Sequence, residues 1–288
     1  MNVIALAKSF VPILDDVYKL SSLTAVLDGS PELVKQGANA GELIIPMLTM
    51  QGLGAYDRNA GYVDGDVTMT NETVACNFDR ARMFNVDNMD NAETAGLAFG
   101  RLASEFIRTK VVPEEDAFRF AAYAGKVGVT KTAADLATGA LVVEALRAAM
   151  TKMDEDEVPT EERYLFITPT LLGLVEDMDT TKSRAVLANF AGIAKVPQSR
   201  FYTAIEQLDG KTSGETAGGF KMATGAKNIN FEILHKSALI QFPKHISPKI
   251  VTPEANQKAD AWKFGYRHVA IADVYDNKVA GVYVHHKV

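Results

Sequence analysis

Apolar and polar positions change period several times along the chain, and each change predicts an element. Leu14, Val17, Leu20, Leu23 and Leu27 recur at three- and four-residue spacing, which predicts a short amphipathic helix within residues 1–28. Asp28-Gly29-Ser30-Pro31 stops it. ELVKQGANAGELIIPML has no long period and predicts an extended connection with a short apolar strand at Leu43–Leu48, so the first fifty residues read as an arm that needs something to lie on. GLGAYDRNAGYVDG, Gly52–Gly65, is glycine-rich and polar, and extended segments flank it. The second of these, Thr73–Asp87, puts Val74, Cys76, Phe78, Phe84 and Val86 on one face, with Arg80 and Arg82 interrupting it. At strand rise those fifteen residues span ~50 Å, about the diameter of a compact domain of this length. Unless it bends, a strand of that length projects from a small core, which predicts a ribbon lying across another surface and partly wet on both sides.

The middle of the chain is helical. Asp90 and Asn91 are suitable N-caps, Glu93 sits in the first turn, and Ala92, Ala95, Phe99, Leu102, Ala103 and Phe106 form a helical stripe. Pro113 suits the first turn of a second helix, VPEEDAFRFAAYAG, with Glu114, Glu115 and Asp116 at its favourable end. Thr132–Met153 predicts a third, alanine-rich helix running into KMDEDEVPTEE, whose six acids read as a solvated loop. YLFITP then predicts a buried strand, PTLLGLVEDM a helix and KTSGETAGGFKMATGAKN a flexible loop. NFEILHKSALIQFP, ISPKIVTP, WKFGYRHVAIADVYD and KVAGVYVHH predict strands separated by turns. The class is α+β, without tandem repeats.

Composition narrows the function classes. The 288 residues are 47% hydrophobic and 23% charged, ordinary globular usage, enough for one large core or two modest ones. Thirty Lys and Arg face 36 Asp and Glu, a net charge of −6 with no strongly basic half. Capture of a phosphate backbone needs clustered positive charge, so direct nucleic-acid binding is disfavoured. The single cysteine, Cys76, makes neither an internal disulfide nor a cysteine-based zinc site. Pro12, Asp15 and Asp16 interrupt the apolar start too early for a membrane span, and no basic stretch leads to a small-residue cleavage site. A chain made in a reducing compartment, without a membrane partner, is expected.

The candidate chemistry dissolves on inspection. VDGD (Asp64, Asp66) and DNMDNAE (Asp87, Asp90, Glu93) lack the ligand spacing of a calcium loop and read as turn and cap acids. Gly52-Leu53-Gly54 has no third glycine and opens no helix, so it is no dinucleotide fingerprint. His235, His245, His268, His285 and His286 form no helical metal pair, and the last two point to opposite faces of a strand. No serine elbow is present, and Cys76 on an apolar face reads as an inert thiol. No catalytic residue, metal ligand or cofactor is expected.

The order of segments is distinctive: arm, projecting two-stranded loop, long helix, mixed central region, β-rich tail. It resembles the major capsid proteins of tailed bacteriophages with the Hong Kong 97 fold. YDRNAGYVDGDVTMTNETVACNFDRARMFNVDNMDNAET resembles that family's extended-loop hairpin and the start of its spine helix. FIRTKVVPEEDAFRFAAYAG resembles the following segment of phage and prophage coat proteins, and HVAIADVYDNKVAGVYVHH their closing strands.

The resemblance implies an arm over residues 1–45, an extended loop over 46–88, a peripheral domain from 89–131 and 241–272, and an axial domain from 132–240 and 273–288. It implies a virion shell protein made in the bacterial cytoplasm, assembled through pentamers and hexamers into an icosahedral shell around double-stranded DNA held without sequence-specific binding. Portal and decoration proteins are further implied partners. Tyr56, Asp57, Arg58, Tyr62, Asp64, Asp66, Phe78, Arg80, Arg82 and Phe84 are the expected inter-subunit contacts. Apolar burial on a neighbour is worth ~1.5–3 kcal/mol per side chain, whereas exposed ion pairs at ~0–1 kcal/mol set register more than strength.

Two departures qualify the resemblance. Some relatives weld subunits through a lysine in the extended loop, and here no lysine lies between Lys35 and Lys110. A shell without that cross-link is expected. Some relatives carry a fused scaffolding segment before the arm, which here starts at Met1, so a separate scaffolding protein is expected. The rival readings are an encapsulin, a nanocompartment shell of the same fold holding a protein cargo, and a soluble mixed-fold enzyme, which no residue constellation supports.

Overall fold

The computed structural model describes residues 22–29, 35–36, 42–56, 58, 61–89 and 97–288. Most of the helix expected within residues 1–28 lies outside them, as do the caps Asp90 and Asn91 and the first-turn Glu93. Strands β1 (Lys35–Gln36), β2 (Glu42–Met50) and β3 (Val67–Ala75) form an antiparallel sheet in that order. The ribbon expected over Thr73–Asp87 is two strands. β3 ends at Ala75, and β4 (Phe78–Asp87) turns away to join a different sheet. Asn77 makes the joint: its side-chain amide donates to Ala272 O (2.7 Å) and its Oδ1 accepts from Ala272 N (3.1 Å), as a strand residue would.

A continuous helical run follows. Helix α1 (Leu97–Phe106) passes through a π turn (Ile107–Val111) into α2 (Val112–Gly125). Pro113 therefore does not start a separate helix. Its ring nitrogen cannot bond back four residues, and the wider turn absorbs the loss by directing Val112 N–H to Ile107 O. The Thr109 hydroxyl donates to Glu105 O at 2.7 Å, satisfying a carbonyl beside the widened turn.

The rest of the chain supplies β5 (Thr130–Ala133), α3 (Gly139–Glu155), β6 (Arg163–Ile167), α4 (Pro169–Glu176), α5 (Thr181–Leu187), β7 (Gly192–Lys195), β8 (Ile205–Gln207) and β9 (Phe220–Met222). The closing strands are β10 (Ile229–His235), β11 (Leu239–Val251), β12 (Ala261–Val274) and β13 (Val282–His286). Two expectations change here. Thr130–Ala133 is a strand parallel to β13, and the helix expected from Thr132 starts only at Gly139, where Thr138 Oγ1 accepts from Leu141 N. The glycine-rich stretch after Lys211 contains β9, which closes a hairpin with β8.

Two sheets organise the body. The first has the order β5-β13-β10-β6-β7, and alternation along its strands sends residues to opposite cores. Leu165, Ile167, Phe231 and Ile233 meet α3, α4 and α5, whereas Phe166, Leu234 and Val284 meet Phe120, Tyr123 and Ala124 of α2. The second sheet, β11-β12-β4, packs Phe264 and Tyr266 against Ala103, Ile107 and Val112 of the helical run. A fourth cluster of Val74, Ile240, Phe242 and Ile271, with half-buried Cys76 against it, fixes the root of β3 to the body.

Candidate assembly surface

Beyond its root, the β2–β3 ribbon is uncovered. Leu48 pairs with Met69 and Met50 with Val67 across the ladder, which puts all four on one face. They are 55–67% exposed, an apolar strip that nothing in this chain covers among the described residues. Thr49 and Thr68 face the other way and are exposed too. A two-stranded ribbon is marginal in water on its own. The tip is closed by Gln51 N to Asp66 O (3.4 Å) and Asp66 N to Gln51 Oε1 (3.3 Å). There Tyr56 and Tyr62 lie ring against ring, 5.1 Å apart, with Leu53 and Val63 also exposed.

The ten expected contact residues fall into two groups. Tyr56, Arg58, Tyr62, Asp64 and Asp66 are exposed at the tip, and Asp57 lies outside the described residues. The other four are on β4, where Phe78, Arg80 and Phe84 pack on the chain's own body and Arg82 stays exposed. Phe78, 1% exposed, packs against Phe118 and His268, so it has no surface left for a neighbour. Phe84 packs edge-on against Phe106 at 4.8 Å. Arg80 binds Glu114 (Nε to Oε1, 2.7 Å) and donates to Leu208 O and Gly219 O, while Arg82 donates to Thr216 O. The interruptions in the apolar pattern of β4 are thus staples that hold the 208–219 loop against the strand. Gly210 has a positive φ of 71° and lies against the Arg82 guanidinium, where a Cβ would come within 2.7 Å of Nη1. Burial lifts the Glu114 carboxyl above its usual value, although Arg80 opposes this.

A cleft of about 720 Å³ lies between β4, the helical run and the β8–β9 hairpin. Phe84, Phe106, Phe220 and Tyr266 are among its walls, and of the charged side chains that also line it Arg80 and Glu114 are bound to each other. Among the described residues no cluster of three or more His, Cys, Asp or Glu is placed to hold a metal ion.

A buried polar network went unforeseen. Glu115, Asp116 and Arg119 of α2 are buried together with Thr24, His268 and Gln241. Arg119 pairs with Glu115 at 2.7 Å, and His268 Nδ1 lies 3.2 Å from Glu115. Burial, reinforced by Arg119, lowers His268 to about 4. Glu232 is also buried, with no hydrogen-bond partner among the described residues, and burial pushes its carboxyl well above the usual range. The available signal was spacing: Asp116, Phe120 and Tyr123 share one helical stripe, so the carboxylate lies on the buried side.

No family model and no curated protein matches the chain. Solved structures do. The structure from Gordonia phage Cozz is 12% identical and superposes with a TM-score of 0.61, covering 93% of this chain and 87% of its own. The capsid of cyanophage P-SCSP1u is 11% identical with a TM-score of 0.58, over 88% and 85% of the two chains. A virus-like particle from Pyrococcus furiosus is 10% identical with a TM-score of 0.56, over 94% and 95%. Such identities carry the fold and nothing finer: this chain has the Hong Kong 97 capsid fold.

Proposed function

We propose that this chain is the major capsid protein of a tailed bacteriophage or prophage, self-assembling through pentamers and hexamers into an icosahedral shell around double-stranded DNA. The observation that carries the proposal is the apolar strip of Leu48, Met50, Val67 and Met69 on an uncovered ribbon, in a chain with a capsid fold. Closed rings built from one chain need heterologous contacts, a projecting patch on one copy meeting a different face of the next. In this reading β2, β3 and the tip form the extended loop, with Tyr56, Arg58, Tyr62, Asp64 and Asp66 as its contacts. The helical run with β11 and β12 forms the peripheral domain and its spine helix, and β4, counted with the extended loop over 46–88, pairs with β12. The first sheet with α3, α4 and α5 forms the axial domain. A separate scaffolding protein, a portal and decoration proteins complete the particle, and the enclosed DNA is held without sequence-specific contacts.

Electron microscopy of the purified chain tests the shell: closed particles, tubes or rings support it, and persistent monomers refute it. With no lysine between Lys35 and Lys110, assembled particles run as single subunits on a denaturing gel; a covalent ladder overturns the non-covalent reading. An encapsulin-type compartment is the second reading, favoured by the end-to-end match to the Pyrococcus furiosus particle. Nuclease-protected DNA inside particles from the native source decides for phage, and a co-purifying protein cargo decides for the compartment.

A further inference from the structure

We infer that the body of this chain carries a slot for a short peptide segment ending in a single 3-10 turn, built around Asp116, and that its occupant, the chain's own Ser22–Gly29 segment, fixes where the N-terminal arm leaves the subunit. The last clause rests on the shell reading; the slot itself does not.

The Asp116 carboxylate has no exposed surface. Its Oδ1 accepts from Ser22 Oγ (2.9 Å), Thr24 Oγ1 (2.7 Å) and Thr24 N (3.3 Å), and its Oδ2 accepts from Leu23 N (3.1 Å) and Arg200 Nη1 (3.2 Å). Five donors thus converge on one carboxyl group, which leaves none of its roughly four acceptor sites free. Thr24 is completely buried, its hydroxyl also accepts from Arg119 Nη1 (2.8 Å), and its carbonyl accepts from Gln241 Nε2 (2.7 Å). The same Gln241 amide donates to Asp28 Oδ1 (2.6 Å), and Tyr123 OH donates to Gln241 Oε1 (2.5 Å), which orients it. Leu27 is buried in the cluster with Phe120, Tyr123 and Ala124. Gly29 lies so close to Phe242 that a Cβ there would come within 2.9 Å of the ring.

Main-chain amides of successive residues ordinarily pair with a ladder or a helix. Here those of Leu23 and Thr24 bind one side chain, which Arg200 also holds, and other polar atoms of the segment bind Arg119 and Gln241, from two separate elements. This is how a protein recognises a peptide, and it reads a Ser-x-Thr triplet followed by a leucine three residues on.

Hydrogen exchange on the full chain tests the slot. Asp116→Asn keeps the shape but turns donors toward donors, so protection at the Leu23 and Thr24 amides falls at least about tenfold while β10 and β13 keep theirs. Thr24→Val falls likewise and Thr24→Ser does not. Unchanged protection in Asp116→Asn and Thr24→Val overturns the slot. So does a loss shared equally by β10 and β13 in both Asp116→Asn and a Ser22→Ala/Thr24→Val variant, because the segment is then ordinary core. If wild-type chain does not assemble, the shell reading fails while these amides still judge the slot. If it does assemble, Thr24→Val gives misclosed particles and Thr24→Ser regular ones; regular particles from both overturn the role in placing the arm.

Discussion

Replacing Leu48 and Met69 by threonine attacks the apolar strip at one cross-strand pair without touching the body. Both side chains are more than half exposed in the isolated subunit, at 55% and 67%, and threonine suits a strand. Complete burial of such a side chain is worth ~1.5–3 kcal/mol, and only the exposed fraction remains to be buried on a neighbour. The pair therefore contributes about 2–4 kcal/mol to each ribbon contact, and the threonine methyls retain a minor part of it. One ribbon per subunit means that the whole loss appears in the assembly free energy per subunit. At 1.4 kcal/mol per decade the full ~2–4 kcal/mol is about 25- to 700-fold, so even after the methyls' share the concentration at which shells appear rises at least about 10-fold. Light scattering across a dilution series of subunits measures it, and thermal melting of the unassembled variant provides the control. Melting stays within about 0.5 kcal/mol of wild type, as for other surface changes. An unchanged assembly threshold refutes the reasoning, and so does a matching loss of subunit stability, which would mean that the strip already packs at home.

Three further outcomes follow from buried groups. Burial raises the Glu232 carboxyl above its unfolded value of 4.5, so its contribution is complete below that pH and is lost as pH rises. Glu232→Gln removes this downward slope, and urea melts at pH 5 and pH 8 show the variant losing less stability than wild type. His268 behaves oppositely: folding lowers it from 6.5 to about 4, so stability is complete above 6.5 and falls as pH drops toward 4. The full shift corresponds to about 3 kcal/mol, and denaturation of His268→Gln across that window shows a correspondingly flatter acid limb. Finally, a Cβ at Gly139 would lie 2.2 Å from Leu174 O, so Gly139→Ala forces α3 and α4 apart and lowers stability by about 1–3 kcal/mol in a thermal melt.

Elements with a clean period were legible and those bent by tertiary contacts were not. YLFITP reads as a strand because Leu165 and Ile167 alternate with Phe166 between two cores. The break at Cys76-Asn77 is invisible to periodicity, because the alternation continues through it while the pairing partner changes from β2 to β12. Arg80 and Arg82 suggested a wet face, yet they bind backbone carbonyls of a loop more than 125 residues away, which no local window contains. Pro113 suggested a helix start because the π turn that accommodates it has no sequence signature of its own. The exposed tip, with its tyrosines and acids, was legible, since nothing in the chain competes for those side chains. Asp116 was read as a first-turn acid complementing the helix dipole, and its slot depends on Gln241 and Arg200, which only the fold brings near.

The joint at Asn77 has a mechanical consequence. Above it, a nine-residue ribbon about 30 Å long is held to the body only at its root, by Val74; below it, β4 is locked into the body along ten residues. With Asn77 bonded twice to Ala272, that junction is a fulcrum and the ribbon a lever arm. A rotation of about 10° there carries the tyrosine tip about 5 Å, roughly one strand spacing. Small changes of angle at one asparagine are therefore magnified into displacements of the whole tip.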